Sequence, residues 1–274
     1  MRILSWLKRL KYNTYPTKKA EVGIALSGGG AKGFAHIGVL KALEEYGIHP
    51  AIISGTSMGS LVGVLYAAGK TPDEIQKLVK ASPVIKIVRL AWGKSGVFKM
   101  SQIRKILETE VGVDNFSSLK KPFYLSVSNI NEGKAEVIHQ GELFDYVLAS
   151  CSVPVLFMPQ IINNVTYVDG GLYDNLPSQS IRELCKTLIG VHINFTGTVD
   201  EFKGMKEVGE RIFMLAIDQN VKSSMKTCDI IIDPPKMQEF TFWDFDKVDE
   251  IVEVGYSFTK EMIEKGEISH PLAQ

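Results

Sequence analysis

The stretch AIISGTSMGS, residues 51–60, joins a run of β-branched residues to an apolar, helix-like run that continues to Ala68. It contains the pattern G-x-S-x-G, in which a serine occupies a sharp turn between a strand and a helix. Such a turn leaves no room for a Cβ atom on either side of the serine, which explains Gly55 and Gly59. The strand and helix patterns around it favour a nucleophile at Ser57 over an ordinary glycine-rich turn.

A second glycine-rich turn, GGGAKG at residues 28–33, follows a buried-strand pattern at 21–27 and precedes a helical apolar stripe. We call residues 28–33 the glycine loop. One interpretation is a dinucleotide-binding turn, which also needs an acidic residue about twenty positions later. No Asp or Glu lies between Glu45 and Asp73. The other interpretation is an oxyanion hole made of backbone amides, and the serine turn one strand later favours it.

Composition places the chain among soluble globular proteins, with 274 residues, 45% of them hydrophobic and 23% charged. The formal net charge is zero, which gives no electrostatic argument for a nucleic-acid partner. The three cysteines show no metal-ligand spacing and form no C-x-x-C pair. They predict a reducing compartment and buried, unpaired thiols. No apolar run is long enough to span a bilayer.

Basic residues concentrate in two apolar segments. Residues 1–20 contain six Lys or Arg and no acid, with leucines and an isoleucine at helical spacing. Residues 84–100 also lack an acid and place basic residues among apolar ones. The first segment fits an amphipathic helix on an anionic membrane surface or a partly ordered terminus. The second fits a lid or membrane-facing cap, or a core helix with solvated lysines.

The rest of the sequence continues an alternation of strand and helix patterns without a clear linker. A capping box at Thr71 predicts a helix start, and Asn163-Asn164 predicts the turn of a hairpin. A helix is expected at 180–186. The hairpin ends at Asp169, which precedes two glycines. An aspartate there is usually a turn residue, but this one also ends a β-rich run, as a catalytic group would.

Ser57 needs a group that accepts its proton. In an ordinary Ser-His-Asp hydrolase a histidine follows the acid along the chain, and only His192 and His270 follow Asp169. His192 lies in a strand-like run and His270 in the tail. Asp169 is therefore itself a candidate base, provided that desolvation raises its pKa. Structural roles are expected for the remaining histidines, which are His36, His49 and His139.

Three motifs, GGGAKG at 28–33, GTSMG at 55–59 and DGG at 169–171, resemble those of the patatin-like phospholipases. The stretch A-S-x-x-x-P at 149–154 is similar too. The resemblance covers at least residues 22–177. It implies an α/β fold with a largely parallel central sheet flanked by helices, a three-layer sandwich related to the α/β hydrolases. It also implies one catalytic domain at 21–274, preceded by the basic segment 1–20.

The resemblance implies that Ser57 attacks a fatty-acyl ester of a phospholipid or lysophospholipid and that Asp169 takes its proton without a histidine. Amides of Gly28, Gly29 and Gly30 would hold the oxyanion, and water would then hydrolyse the acyl-enzyme. No metal and no other cofactor is implied. The remaining motif positions support these turns, and they are Lys32, Gly33, Gly55, Gly59, Gly170 and Gly171.

Lys32 matches a basic position of the family's loop, with no chemical step assigned to it and a solvated lysine as the alternative. The resemblance implies a cytoplasmic protein or one bound peripherally at the inner membrane face. Other functions stay open. One is a malonyl-carrier type of acyltransferase with His192 as base, another is a general lipid esterase, and a third is a dinucleotide-binding module without catalysis.

Overall fold

The computed structural model describes residues 18–81, 100–154, 157–194, 198, 201–202 and 204–269. Within these residues one mixed sheet has the strand order β5-β6-β3-β2-β1-β7-β8, with β4 also paired to β3. The strands are β1 (Ala20–Leu26), β2 (Ile52–Gly55), β3 (Phe123–Asn129), β4 (Lys134–Ile138), β5 (Gln160–Ile162), β6 (Val165–Asp169), β7 (Cys185–Val191) and β8 (Ile230–Ile232).

The α-helices of the described ranges lie between and after these strands. They are α1 (Ala35–Glu45), α2 (Met58–Ala67), α3 (Pro72–Ala81), α4 (Ser101–Glu110), α5 (Phe144–Ser150), α6 (Met205–Met225) and α7 (Val248–Glu264). Short 3-10 turns follow the glycine loop and Asp169, at Gly30–Phe34 and Gly170–Leu172.

The sheet has a parallel part and an antiparallel part. Strands β3, β2, β1, β7 and β8 pair in parallel, while β4, β5 and β6 pair antiparallel. The predicted hairpin explains the second part, because a two-residue turn joins only antiparallel strands. Asn163 and Asn164 have φ of 52° and 64°, as a tight primed turn requires. The predicted largely parallel sheet is thus confirmed for its centre, with antiparallel strands added at one end.

Helices cover both faces of the sheet. Along β1, Ile24 and Leu26 belong to the larger core, which includes residues of α1, α2 and α7. Ala25 points to the opposite face and joins a smaller core with Ile217 and Val221 of α6. Since successive strand residues face opposite sides, the two cores lie on opposite faces of the sheet. This arrangement confirms the predicted three-layer sandwich.

The sequence predicted a local helix-capping motif correctly but missed the start of a strand that is set by long-range pairing. The capping box is confirmed, because the Glu74 amide donates to Thr71 Oγ1 at 3.3 Å and the Thr71 amide donates to Glu74 Oε2 at 2.8 Å. The helix expected at 180–186 is wrong. Its residues form 3-10 turns, and β7 begins at Cys185, which pairs with Ala20 of β1. Sheet pairing here overrides a weak local preference.

Three sequence predictions concern residues outside the described ranges. They are the amphipathic N-terminal helix, the cap at 84–100 except for its last residue, and any role of His270. Among the helices that are described, none combines the length and the apolar character needed to cross a membrane.

Candidate active site

The edge where β1 and β2 end brings the glycine loop and Ser57 together. The two strands are parallel neighbours, so the loops that follow them leave the same edge of the sheet. Strand β6 runs the opposite way and places Asp169 beside Val127 of β3. Val127 lies two residues beyond Leu125, which pairs with Gly55 at the end of β2. Asp169 therefore reaches the same edge as Ser57.

Ser57 occupies the strained turn that the sequence predicts. Its φ is 53° and its ψ is −124°, a conformation that side-chain-bearing residues seldom adopt. A Cβ atom on Gly55 would lie 2.5 Å from the Gly59 carbonyl oxygen, and one on Gly59 would lie 2.3 Å from the Leu26 oxygen. The glycines therefore let the chain pass close to its neighbours on both sides of Ser57.

Hydrogen bonds hold both peptide groups of Ser57. Its amide donates to Ser150 Oγ at 3.0 Å, and Ser150 in turn donates to the Ser126 carbonyl at 2.8 Å. Its carbonyl accepts from Ser60 Oγ at 2.7 Å and from Cys151 Sγ at 3.3 Å. These contacts stabilise a backbone conformation that would otherwise relax.

Asp169 is a buried acid that faces this serine. Only 2% of it is exposed, and its Oδ1 accepts the Gly171 amide at 2.8 Å. Burial raises the pKa of Asp169 to about 7, against the opposing effects of the Ser57 hydroxyl and the Gly171 amide. Oδ2 has no hydrogen bond from any described residue. Near neutral pH such a carboxylate is able to accept a proton from the serine.

The glycine loop contains two backbone amides that make no hydrogen bond to a described residue. The Gly28 amide donates to the Asn175 carbonyl at 3.2 Å, and the Ala31 amide to the Phe242 carbonyl at 2.9 Å. Between them, the amides of Gly29 and Gly30 have no hydrogen-bond acceptor within the described ranges. The sequence predicts three donors at 28–30, and in this structure the amide of Gly28 is occupied.

Lys32 is buried, with only 6% of the residue exposed. The alternative prediction of a solvated lysine is therefore wrong. Burial lowers its pKa, and the charge of Asp244 partly offsets that effect. The glycines Gly33 and Gly170 also allow close approach. A Cβ atom would lie 2.2 Å from Met58 Cγ at the first and 2.3 Å from the Ser126 oxygen at the second.

The described histidines have structural partners away from Ser57. His192 Nδ1 lies 3.2 Å from Asp233 Oδ1. The strand that ends just before it, β7, is separated from β2 by β1. His36 Nε2 lies 2.7 Å from the Ser27 carbonyl oxygen. In the part of the chain that is described, none of the histidines hydrogen-bonds Ser57. The other two, His49 and His139, contact Glu44 and stack on Tyr124 respectively.

Sequence analysis missed three asparagines that surround the site. Asn194 Nδ2 donates to the Gly28 carbonyl. Asn220 Nδ2 donates to the Gly171 carbonyl at 2.9 Å, and its Oδ1 accepts the Asn175 amide at 2.9 Å. Asn194 lies between apolar residues, but Asn175 follows Asp174 and Asn220 follows Gln219, so no shared sequence pattern marks the three. The described residues contain no group of three His, Cys, Asp or Glu side chains that would suit a metal.

The motif region matches a known family. The family model described as patatin-like phospholipase matches residues 24–180, which include the glycine loop, Ser57 and Asp169. The chain belongs to the patatin-like phospholipase family. In this patatin-like chain, Asn194 and Asn220 lie outside the matched range.

Individual relatives are more distant. The patatin-like chain is 28% identical to a lysophospholipase NTE1 of Kluyveromyces lactis, over 89% of this chain and 19% of that protein. It is 27% identical to lysophospholipase NTE1 of Saccharomyces cerevisiae, over 86% of this chain and 16% of that protein. The chain thus spans less than a fifth of these curated relatives.

Solved structures with a similar arrangement share little sequence. VipD from Legionella pneumophila has a TM-score of 0.49 and 14% identity, over 90% of this chain and 67% of that one. ExoU from Pseudomonas aeruginosa, in its complex with SpcU, has a TM-score of 0.49 and 16% identity, over 90% of this chain and 52% of that one.

Proposed function

We propose that this chain hydrolyses a fatty-acyl ester of a lysophospholipid or phospholipid, with Ser57 as nucleophile and Asp169 as base. The observation that carries the proposal is the buried Asp169 carboxyl facing a serine in a strained turn. Burial raises the pKa of Asp169 to about 7, which suits proton transfer near neutral pH.

The reaction proceeds in two halves. Ser57 Oγ bonds to the ester carbonyl carbon as its proton moves to Asp169, and the carbonyl oxygen becomes an oxyanion. The bond to the lysolipid or glycerol oxygen then breaks, and Asp169 returns the proton to that leaving oxygen. Water attacks the acyl-enzyme, again giving a proton to Asp169, and the fatty acid leaves as Ser57 regains its proton.

The oxyanion would be held by the free amides of Gly29 and Gly30. Such preorganised donors supply several kcal/mol of transition-state stabilisation. Gly28 contributes space, because a Cβ atom there would lie 2.9 Å from Ser57 Cβ. The N-terminus of α2, directly after Ser57, adds a favourable dipole.

The substrate class follows from the relatives, whose printed names are lysophospholipases. We infer that a single-chain lysophospholipid is the preferred substrate, with diacyl phospholipid as the second. The basic, apolar segments at 1–20 and 84–100 would bring the site to an anionic membrane surface at the cytoplasmic face. We assign no metal and no cofactor to this reaction.

The test is fatty-acid release from a lysophospholipid, a diacyl phospholipid and a simple lipid ester, by wild type and Ser57→Ala. A malonyl-carrier thioester serves as the fourth substrate. We expect wild type to release fatty acid from both phospholipid classes, and we expect Ser57→Ala to release none. Turnover of the simple ester alone would indicate a general lipid esterase, and acyl transfer from the thioester would indicate an acyltransferase. Either outcome would overturn the proposal.

A further inference from the structure

The side chain of Asn175 is a buried carboxamide without a partner. Only 1% of the residue is exposed, and neither Oδ1 nor Nδ2 makes a hydrogen bond to any described residue. Its backbone is held on both sides, because its amide donates to Asn220 Oδ1 at 2.9 Å and its carbonyl accepts the Gly28 amide at 3.2 Å. Buried polar groups are almost always paired, so this unpaired carboxamide calls for an explanation.

This carboxamide lies close to both the nucleophile and the base. Asn175 Oδ1 and Ser57 Cβ lie 2.6 Å and 2.9 Å from the point where a Cβ atom on Gly28 would sit. Asn175 Oδ1 and Asp169 Oδ1 likewise lie 2.9 Å and 3.0 Å from the Cβ position of Gly171. The two glycines therefore leave the space through which Asn175 approaches both residues.

A complementary unpaired atom lies on the base. Asp169 Oδ2 is buried and without a hydrogen-bond partner among the described residues, and it is an acceptor when the acid is ionised. During catalysis Asp169 must alternate between a carboxylate and a carboxylic acid. A carboxamide suits both states, because Nδ2 donates to the carboxylate and Oδ1 accepts from the acid.

We propose that Asn175 is a positioning residue for Asp169, donating from Nδ2 to its carboxylate before proton transfer and accepting at Oδ1 afterwards. This inference rests on the proposed function, because it concerns the same proton transfer. A donor to the carboxylate favours the charged form. Asn175 thus offsets part of the rise in the pKa of Asp169 that burial causes. It also orients the other carboxylate oxygen towards Ser57.

Other titratable or polar groups lie on the elements around Asp169. Helix α5 is followed by Cys151, whose thiol stays neutral because burial raises its pKa to about 12. The turn after Asp169 carries the half-buried Asp174, whose pKa burial raises to about 6. The glycine loop brings Lys32, and α6 presents the uncharged Asn220. Asp174 is the group most easily confused with Asp169 in a pH profile.

The experiment measures how fast an alkyl fluorophosphonate labels Ser57 between pH 5 and pH 9. In this reaction Ser57 Oγ bonds to phosphorus, fluoride leaves and the serine proton passes to the base, so the rate reports ionisation of Asp169 without lipid binding. The variants are Asn175→Leu, of similar volume without polar atoms, and the isosteric Asn175→Asp. Asp174→Asn is the matched control, and Ser57→Ala and Asp169→Asn complete the set.

Wild type should reach half its maximal labelling rate near pH 7. Asn175→Leu should move this midpoint up by about one pH unit, which makes labelling roughly fivefold slower at pH 7 and equal above about pH 9. Asn175→Asp should also move it up, through repulsion between the two acids. Asp174→Asn should leave it in place.

An unchanged midpoint in Asn175→Leu would overturn this inference while leaving the proposed function intact. If Asn175→Leu does not fold, an unchanged midpoint in Asn175→Asp would overturn it equally. Labelling that persists in Ser57→Ala, or that keeps its wild-type rate in Asp169→Asn, would instead overturn the proposed function.

Discussion

The Ser57 amide donates a hydrogen bond of 3.0 Å to Ser150 Oγ, although the two serines are 93 positions apart in the sequence. Ser150 extends the contact by donating to the Ser126 carbonyl of β3 at 2.8 Å. The strained turn is therefore tied to the centre of the sheet through one hydroxyl. This hydroxyl belongs to the A-S-x-x-x-P stretch, for which the sequence indicated no role.

Ser150→Ala should weaken both the fold and the site. It leaves the Ser57 amide and the Ser126 carbonyl without their buried partner, which should lower the free energy of unfolding by about 2 kcal/mol. Fatty-acid release should fall at least tenfold, because the turn of Ser57 can relax. Urea unfolding and a release assay measure the two effects. The matched control is Ser152→Ala, which loses a bond to the Leu148 carbonyl within its own helix region. Equal losses in both variants would contradict the account.

Gly28→Ala should abolish activity for lack of space. Its Cβ atom would lie 2.6 Å from Asn175 Oδ1 and 2.9 Å from Ser57 Cβ, so the nucleophile must shift. We expect kcat/KM to fall at least a hundredfold, as misplacement by about 1 Å can do. Gly209→Ala on α6 is the control, because among the described residues beyond its own helical backbone no atom lies within 4 Å of its Cβ position. The control should keep full activity and gain about 1 kcal/mol of stability. More than a tenth of wild-type activity in Gly28→Ala would count against the geometry.

Acid should destabilise the fold through His36. Burial lowers the pKa of His36 from 6.5 to about 4, with the nearby His192 adding to the effect and the Ser27 carbonyl opposing it. The unfolded chain therefore binds a proton between pH 6.5 and pH 4 that the folded chain does not. The stability from neutral His36 is present above pH 6.5 and lost as the pH falls, by about 3 kcal/mol at pH 4. Urea unfolding of wild type and His36→Gln at both pH values measures this difference, and parallel losses in the two proteins would refute it.

Asp169→Asn should be more stable than wild type in alkaline solution. The folded-state pKa of Asp169 is raised from 3.8 to about 7, so the folded chain holds a proton that the unfolded chain has lost. The protonated acid therefore contributes fully to folding stability below pH 3.8. As the pH rises through 7 this contribution is lost, which lowers the free energy of unfolding by up to about 4 kcal/mol. The amide avoids that cost and keeps an oxygen for the Gly171 amide. Thermal melting at pH 4 and pH 8 should show the gain at pH 8 only, and a gain of equal size at both would exclude this cause.

The membrane prediction concerns residues outside the described ranges and rests on sequence alone. Deleting residues 1–11 should reduce flotation with vesicles that contain anionic lipid and leave fluorophosphonate labelling of Ser57 unchanged. Flotation indifferent both to the deletion and to lipid charge would argue against an N-terminal contact with the membrane.

Short-range features were accessible from the sequence because the chain encodes them within a few residues. The turn at Ser57, the capping box at Thr71 and the hairpin at Asn163-Asn164 belong to this class. Features set by tertiary contact were not accessible. The burial of Lys32 and the early start of β7 depend on segments far away in the chain.

The polar groups around the site show the same limit. Asn175 reaches the glycine loop only because β1, β6 and α6 bring three distant segments together. Asp169 was a candidate from its place at a strand end, but its burial, and hence its shifted pKa, requires the folded surroundings. A single sequence indicates which side chains are chemically able to react, and packing determines which of them meet.

The most direct test of the Ser57–Asp169 dyad compares fatty-acid release from lysophospholipid by Asp169→Asn and His192→Asn. The account predicts that Asp169→Asn loses activity at least a thousandfold, because the amide cannot accept the serine proton. It predicts that His192→Asn stays within about threefold of wild type, because His192 contacts Asp233 rather than Ser57. Retained activity in Asp169→Asn together with loss in His192→Asn would contradict the account and favour a histidine-based mechanism.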